Sequence, residues 1–282
     1  VWYVDEGSSF AAATGKTWPT AFPDIQSAVD NAYIHGGGEI WVASGTYTGS
    51  GGYTLIMRDN VHLYGGFSGI ETARNERDFH DNSSIVDGQN VRCCIYGANN
   101  ATLDGFIVTR GVNDSSGGGM YCLYASPALS NCTFQENNIG GGLYCENSSL
   151  EITDCIFSKN HSKHGGGGIV TSCSSVVLTN CIFTKNSAGF GGGGISTYDS
   201  STTLIHCIFT GNSADDYGGA IYNIGNDNGE ALLYSLTMTD CNFLDNTAKY
   251  DGGGIVNEYM NVDLMNCNFI ANTSISGGAV YN

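Results

Sequence analysis

The chain has 282 residues, and its 27 acidic residues against 10 basic residues leave a formal net charge of −17. A chain this acidic repels phosphate groups, so we expect neither nucleic acid nor anionic lipid as a partner. The 41 glycines follow no collagen period, and no run of 18 apolar residues predicts a transmembrane segment.

The first elements predicted along the chain are a short strand and a capping helix, within residues 1–37. Apolar residues recur at helical spacing between Asp24 and Ala32, which predicts an amphipathic helix that begins near Asp24. Because a solenoid needs a cap over its open core, we expect this helix to cover the first coil. The chain opens directly on Val1, which is typical of a mature end after signal-peptide removal.

A repeated phrase, Cys-x-Phe-x-x-Asn followed by a glycine pair, occupies residues 131–282. Its six cysteines are Cys132, Cys155, Cys181, Cys207, Cys241 and Cys267, spaced by 23, 26, 26, 34 and 26 residues. A fixed period of this length indicates units that stack on one another. Each period holds short alternating runs typical of strands. The pattern predicts an all-β fold, a parallel β-helix of about ten coils over residues 38–282.

Stacking turns each position of the phrase into a column along the axis. We expect the cysteine and phenylalanine columns to face inward and the asparagine column to form hydrogen bonds along a turn. Glycines then supply positive φ at the next corner. Most of the cysteines are expected to be small buried hydrophobes. A disulfide between neighbouring coils is the alternative, and Cys122 with Cys145 is the best candidate pair.

Several motifs resemble a known superfamily. The segments WYVD (2–5), LYGGF (63–67) and GGAIYN (218–223) resemble pectin-lyase-like β-helix proteins with repeats of the polymorphic outer-membrane protein type. The resemblance implies a right-handed β-helix that is secreted or displayed at the cell surface. That superfamily contains lyases, hydrolases and adhesins, so the resemblance implies no particular activity.

One outward column offers a candidate catalytic group. A β-helix lyase needs a strong base close to calcium-binding carboxylates. Lys159 and Lys185 are neighbours in the column before the asparagines, with Glu136 beside them. A solvated row of surface charges explains the same residues.

Candidate metal ligands lie in the turns. Asp215 and Asp216 are one coil from Asp251, and carboxylates in a turn suit calcium. Calcium is therefore the one cofactor that the sequence suggests, although acids in so acidic a chain are also expected simply to face water. His161 and His164 are too few to define a metal site.

Two features predict a binding surface. Tyr121, Tyr144, Tyr222 and Tyr281 each follow an inward apolar residue, so alternation points these rings outward, where tyrosine commonly contacts carbohydrate or protein. The coil after Cys207 carries an insertion that includes Asp227 and Glu230. Insertions in solenoids emerge on one face and often bind ligands.

We therefore expect an exported surface or extracellular β-helix protein that acts in adhesion or structural self-assembly without catalysis. The alternative is a polysaccharide lyase or glycoside hydrolase. The expected partner is a carbohydrate or another surface protein. The sequence stops in mid-coil at Asn282, so we expect either a longer natural chain or end-to-end stacking on a second copy.

Overall fold

The computed structural model describes residues 1–9, 13–114, 117–225 and 234–282. These residues wind into a right-handed parallel β-helix of about nine coils. Three long sheets run along its sides, and a short fourth sheet follows one turn. All the paired strands are parallel, because each strand lies against the matching strand of the next coil.

The strands of each sheet follow one another in chain order along the axis. The first sheet contains Trp2–Val4, Gly38–Ala43, Val61–Phe67, Thr102–Asp104, Ala128–Ser130, Ser149–Thr153, Ser175–Thr179, Ser201–Ile205, Ser235–Thr239 and Asn261–Met265. The second contains Gly45–Tyr47, Ser84–Asp87, Phe106–Thr109, Thr133–Gln135, Ile156–Ser158, Ile182–Thr184, Ile208–Thr210, Asn242–Leu244 and Asn268–Ile270. The third contains Tyr53–Ile56, Cys93–Tyr96, Met120–Leu123, Leu143–Glu146, Ile169–Ser172, Ile195–Tyr198, Ile221–Ile224, Ile255–Glu258 and Val280–Tyr281. The short fourth sheet contains His161–Ser162, Ser187–Ala188, Ser213–Ala214 and Thr247–Ala248. Short 3-10 helices span Trp18–Thr20 and Arg74–Glu76.

The coil count is about nine rather than the ten expected from the sequence. The first sheet has ten strands but the second and third have nine each. The extra strand, Trp2–Val4, pairs with Gly38–Ala43, and the helix follows it in place of a complete coil. The predicted boundary at residue 37 falls between the helix and the strand that begins at Gly38, and it stays a prediction.

The capping helix is confirmed and spans Ile25–Ile34. Asp24 caps its first turn by accepting a hydrogen bond from the Ser27 backbone at 2.8 Å, which satisfies a helix donor that would otherwise lack a partner. Gln26 closes the edge of the third sheet. Its Oε1 accepts from the Ile56 N–H at 2.7 Å and its Nε2 donates to the Ile56 carbonyl at 3.2 Å. The side-chain amide thus replaces a neighbouring strand at an edge that would otherwise be unpaired.

The predicted inward columns form the core. The phenylalanine rings of the repeat stack along the axis with centroids 4.6–5.0 Å apart and planes within 6° of parallel. The cysteines beside them are buried in all but the last coil. Because successive coils are about 4.8 Å apart, each side chain packs directly on its copy in the next coil.

The asparagine column forms the predicted ladder. Asn160 donates from Nδ2 to the Phe134 carbonyl at 2.9 Å and to Asn186 Oδ1 at 3.0 Å, and its own N–H donates to the same Oδ1 at 3.0 Å. The side chain is fully buried. Each rung therefore satisfies backbone groups that the turn leaves without strand partners.

Most corners of the coil turn at single residues with a left-handed backbone. In one coil these are Asp154, Lys159 and Cys173, with φ of 54°, 53° and 48°. The sequence predicts positive φ for glycines, and Gly166 at φ 65° confirms that for the glycine-rich turn. The non-glycine corners were not expected, because few non-glycine residues adopt this conformation outside sharply constrained turns.

A further buried polar column was also not expected. Asn223 donates to Asn257 Oδ1 at 2.6 Å, and Thr197 in the preceding coil hydrogen-bonds to Asn223. All three side chains are buried on the inner face of the third sheet. These three side chains are tolerated in the core because each finds a polar partner one coil away. Among the described helices, none is long and apolar enough to cross a membrane.

Candidate binding surface

Four tyrosines form a continuous row on the outer face of the third sheet. Tyr96, Tyr121 and Tyr144 occupy equivalent positions on successive strands, and their ring centroids are 5.7 Å apart at each step. Tyr53, from the edge strand, contacts Tyr96 at 5.3 Å. We call these four residues the tyrosine row. It brings together the predicted Tyr121 and Tyr144.

Two members of the tyrosine row were missed in the sequence. Tyr96 follows inward Ile95 just as Tyr121 follows inward Met120, so the same alternation could have found Tyr96. Tyr53 lies one strand earlier and out of register with the column, opposite Cys93. Only the folded chain brings its ring against Tyr96.

The four rings are half-buried, which fixes their orientation. Burial, aided by nearby Glu146, raises the pKa of Tyr144 to about 12. Burial likewise raises the pKa of Tyr121. These phenols therefore remain neutral hydrogen-bond donors at any physiological pH. The row presents apolar ring area and neutral hydroxyl groups on a strongly acidic protein.

Tyr222 does not have the exposure expected from its place in the column, since only 5% of its surface is accessible. Its ring is covered by Phe190 and Tyr217 from the neighbouring turns, with centroids 5.5 and 6.0 Å away. Tyr217 also contacts Tyr250. This second aromatic group lies in turn positions whose proximity the repeat phrase does not reveal. Tyr281, by contrast, is 40% exposed.

The candidate catalytic column is found where the sequence places it, at the left-handed corner of the coils. Lys159 Nζ lies 3.6 Å from Glu136 Oε1, and the two side chains are 60% and 53% exposed. Lys185 occupies the same corner one coil further along. A loose, solvated ion pair of this kind contributes little to stability, and its catalytic role stays a prediction.

The predicted calcium ligands do not converge. Within the described part of the chain, no three His, Cys, Asp or Glu side chains are grouped so that they could hold a metal ion. The register explains this result for the three aspartates. Asp251 bridges to Tyr217, so an aromatic residue rather than Asp215 or Asp216 lies opposite it. The insertion residues Asp227 and Glu230 lie outside the described residues.

The candidate disulfide partners lie opposite each other in adjacent strands. Cys122 and Cys145 are register partners, and both are fully buried free thiols in this structure. Burial raises the pKa of Cys145 to about 12, and burial also raises the pKa of Cys122 well above its usual value. The disulfide between them stays a prediction.

Thiol labelling should separate one cysteine from the others. Cys173 is exposed, whereas nine cysteines are buried. At about pH 8 a buried thiol with a raised pKa stays protonated, and the thiol form is unreactive. We expect Cys173 to react quickly in the native protein and a Cys173→Ser variant to lose that fast phase. Labelling in denaturant counts the remaining thiols. Two fewer than the full number, with one thiol more than the wild type in both Cys122→Ser and Cys145→Ser, would assign a disulfide to the Cys122–Cys145 pair.

The architecture and this surface define a β-helical solenoid with an aromatic outer face. The family model described as "Right handed beta helix region" matches residues 68–234, and the chain belongs to that family. No curated protein matches the sequence. Among solved structures, PfbA, a surface adhesin of Streptococcus pneumoniae, is similar at 11% identity and a TM-score of 0.35, with 87% of this chain and 88% of that chain covered. The A-module of the Azotobacter vinelandii mannuronan C-5 epimerase AlgE4 is similar at 12% identity and a TM-score of 0.31, with 99% of both chains covered.

Proposed function

We propose that this protein is an exported, non-enzymatic adhesion protein that binds an extended carbohydrate chain along the tyrosine row. The observation that carries the proposal is the unbroken series of ring contacts from Tyr53 to Tyr144 on one outer face. The proposal that the protein is exported rests on the resemblance of the opening segment to secreted β-helix proteins.

The geometry of the row suits a linear polymer. The strands that carry Tyr96, Tyr121 and Tyr144 are adjacent, so the rings advance along the solenoid axis by about 4.8 Å per coil. Aromatic rings supply rigid amphipathic contact area at low entropic cost. The apolar faces of sugar rings pack on such a surface while their hydroxyl groups remain in water or bond to the phenols.

A double variant tests the row. We expect Tyr96→Ala with Tyr121→Ala to raise the Kd for a bound glycan at least about tenfold, which corresponds to about 1.4 kcal/mol. Glycan-array screening identifies the ligand, and titration calorimetry measures the change. Tyr259→Ala is the matched control, because Tyr259 is 53% exposed but follows the strand Ile255–Glu258, several strands along the third sheet from the row. Equal weakening by both variants, or no glycan bound by the wild type, would contradict the proposal.

The alternative is an enzyme that cleaves a polysaccharide with Lys159 as the base. Its support is the contact between Lys159 and Glu136 at an accessible corner. Incubation with acidic and neutral polysaccharides reports unsaturated products or new reducing ends. Cleavage by the wild type that is lost in the Lys159→Ala variant would show that the protein is an enzyme rather than an adhesion protein.

Light scattering of the same sample tests end-to-end association with a second copy.

A further inference from the structure

A cavity of about 240 Å³ opens on the outer face where the tyrosine row ends. Its lining includes Tyr144 and Tyr198, from the strands on either side of Ile169–Ser172, and Val170 from that middle strand. The cavity is smaller than the roughly 300–1,000 Å³ of sites for drug-sized ligands. It therefore fits one substituent or one ring of a longer chain that lies on the row.

The end of the unbroken tyrosine column and one departure from the internal repeat meet at this cavity. Val170 is the register partner of Tyr144, and a smaller side chain at this position of the column leaves space. Ser162 is in the column that holds Ala188, Ala214 and Ala248 in the following coils. The coil thus carries a hydroxyl where its neighbours carry a methyl group, and that residue lines the cavity.

The cavity combines an apolar base with a buried polar group. Val170 is 7% exposed, and Ile139 lines the cavity beside it. Ser162 is 3% exposed, and its Oγ accepts a hydrogen bond from the His164 backbone at 3.3 Å. The Ser162 hydroxyl still carries a proton that it can donate to a carbonyl oxygen of a ligand.

The charges at the rim select against an acidic ligand. Asp114 lines the cavity, and its Oδ1 accepts from Lys163 Nζ at 2.6 Å. The Lys163 ammonium is therefore already paired, and a ligand carboxylate would meet the Asp114 carboxylate beside the His164 ring on a protein of net charge −17. Like charges brought together are unfavourable. The occupant is thus neutral, with a small apolar end and a hydrogen-bond acceptor.

We propose that this cavity binds the acetamido group of a neutral N-acetylhexosamine within a glycan that lies on the tyrosine row. The methyl group contacts Val170 and Ile139, the carbonyl oxygen accepts from Ser162, and the sugar ring packs against Tyr144. This inference rests on the proposed function, since the row holds the rest of the chain.

Chitin and cellulose oligosaccharides of equal length are the matched probes, because they differ only by an acetamido group in place of a hydroxyl group. We expect the wild type to bind the chitin oligosaccharide at least about tenfold more tightly by calorimetry. Val170→Tyr fills the cavity, and tyrosine is already accommodated in this column at Tyr144 and Tyr222. We expect this variant to bind both oligosaccharides with similar Kd, because the filled cavity no longer distinguishes an acetamido group from a hydroxyl group.

Ser162→Ala is the second variant, and alanine in the next three coils shows that the fold accepts it. We expect it to reduce the preference for the chitin probe several-fold with an unchanged melting temperature. Equal wild-type affinity for both probes, with weaker binding by the tyrosine variants, would overturn the acetamido site and leave the tyrosine row in place. Binding of neither probe, together with binding of another glycan through the row, would also overturn it.

Discussion

Replacing Asn186 with leucine should lower the free energy of unfolding by about 2–6 kcal/mol, since it takes the partner from two buried backbone groups and each such group costs about 1–3 kcal/mol. Asn186 Nδ2 donates to the Phe157 carbonyl at 2.9 Å and to Asn212 Oδ1 at 3.0 Å. Its Oδ1 accepts from the N–H and from Nδ2 of Asn160, both at 3.0 Å. Leucine fills a similar volume but removes these partners from the Phe157 carbonyl and from the Asn160 N–H. Asn160 Nδ2 keeps only its bond to the Phe134 carbonyl, and Asn212 Oδ1 keeps only the backbone N–H of residue 186.

Urea denaturation followed by circular dichroism measures this change. Asn268→Ala is the control, because Asn268 forms an exposed side-chain hydrogen bond to Asn242 at 3.0 Å. We expect that variant to change stability by no more than about 0.5 kcal/mol, as is usual for exposed positions. If Asn186→Leu lowered the free energy of unfolding as little as the control does, the hydrogen bonds of the ladder would contribute little to stability.

Replacing Phe183 with alanine should destabilise the protein by about 3–5 kcal/mol, the usual range for a buried phenylalanine. Phe183 is fully buried and stacks between Phe157 and Phe209, with centroids 4.9 and 4.6 Å away. The coils above and below are held apart by their own strand pairing, so they cannot collapse into the space. The resulting cavity therefore remains open.

The matched control is Phe190→Ala, which removes the same side chain from the outer face, where Phe190 is 40% exposed. We expect a smaller loss of about 1 kcal/mol, because this ring is partly exposed and packs against Tyr217 and Tyr222 on the outer face rather than in the core. The same urea titrations compare the two variants. Similar losses at both positions would show that the stacked rings are not the main source of core stability.

The repeat phrase predicted most of the axial order of the molecule. Apolar spacing between Asp24 and Ala32 separately predicted the capping helix, which the structure confirms. The inward cysteine and phenylalanine columns and the asparagine ladder were expected from the repeat phrase, and the structure confirms them. A fixed period suffices for these features, since residues one period apart must lie in the same column once the coils stack. Tyr121 and Tyr144 could be paired by the same reasoning.

Features that depend on contacts across a corner could not be predicted. Tyr222 is buried because Phe190 and Tyr217 fold over it from the turns, and Asp251 is opposite Tyr217 rather than the other aspartates. Both results depend on the turn path. That path includes corners with a left-handed backbone at residues such as Asp154 and Lys159. The residue type at such a corner does not reliably predict this conformation.

The sequence by itself therefore determined which residues stack along the axis, and with them the β-helix, its core and its cap. Only the tertiary structure decided which columns meet side by side, including the contact between Tyr53 and Tyr96 and the cavity shared by Ser162 and Val170. The physical reason is that axial neighbours are set by the period of the chain. Lateral neighbours are set by the backbone angles at each corner and by how the side chains pack around it.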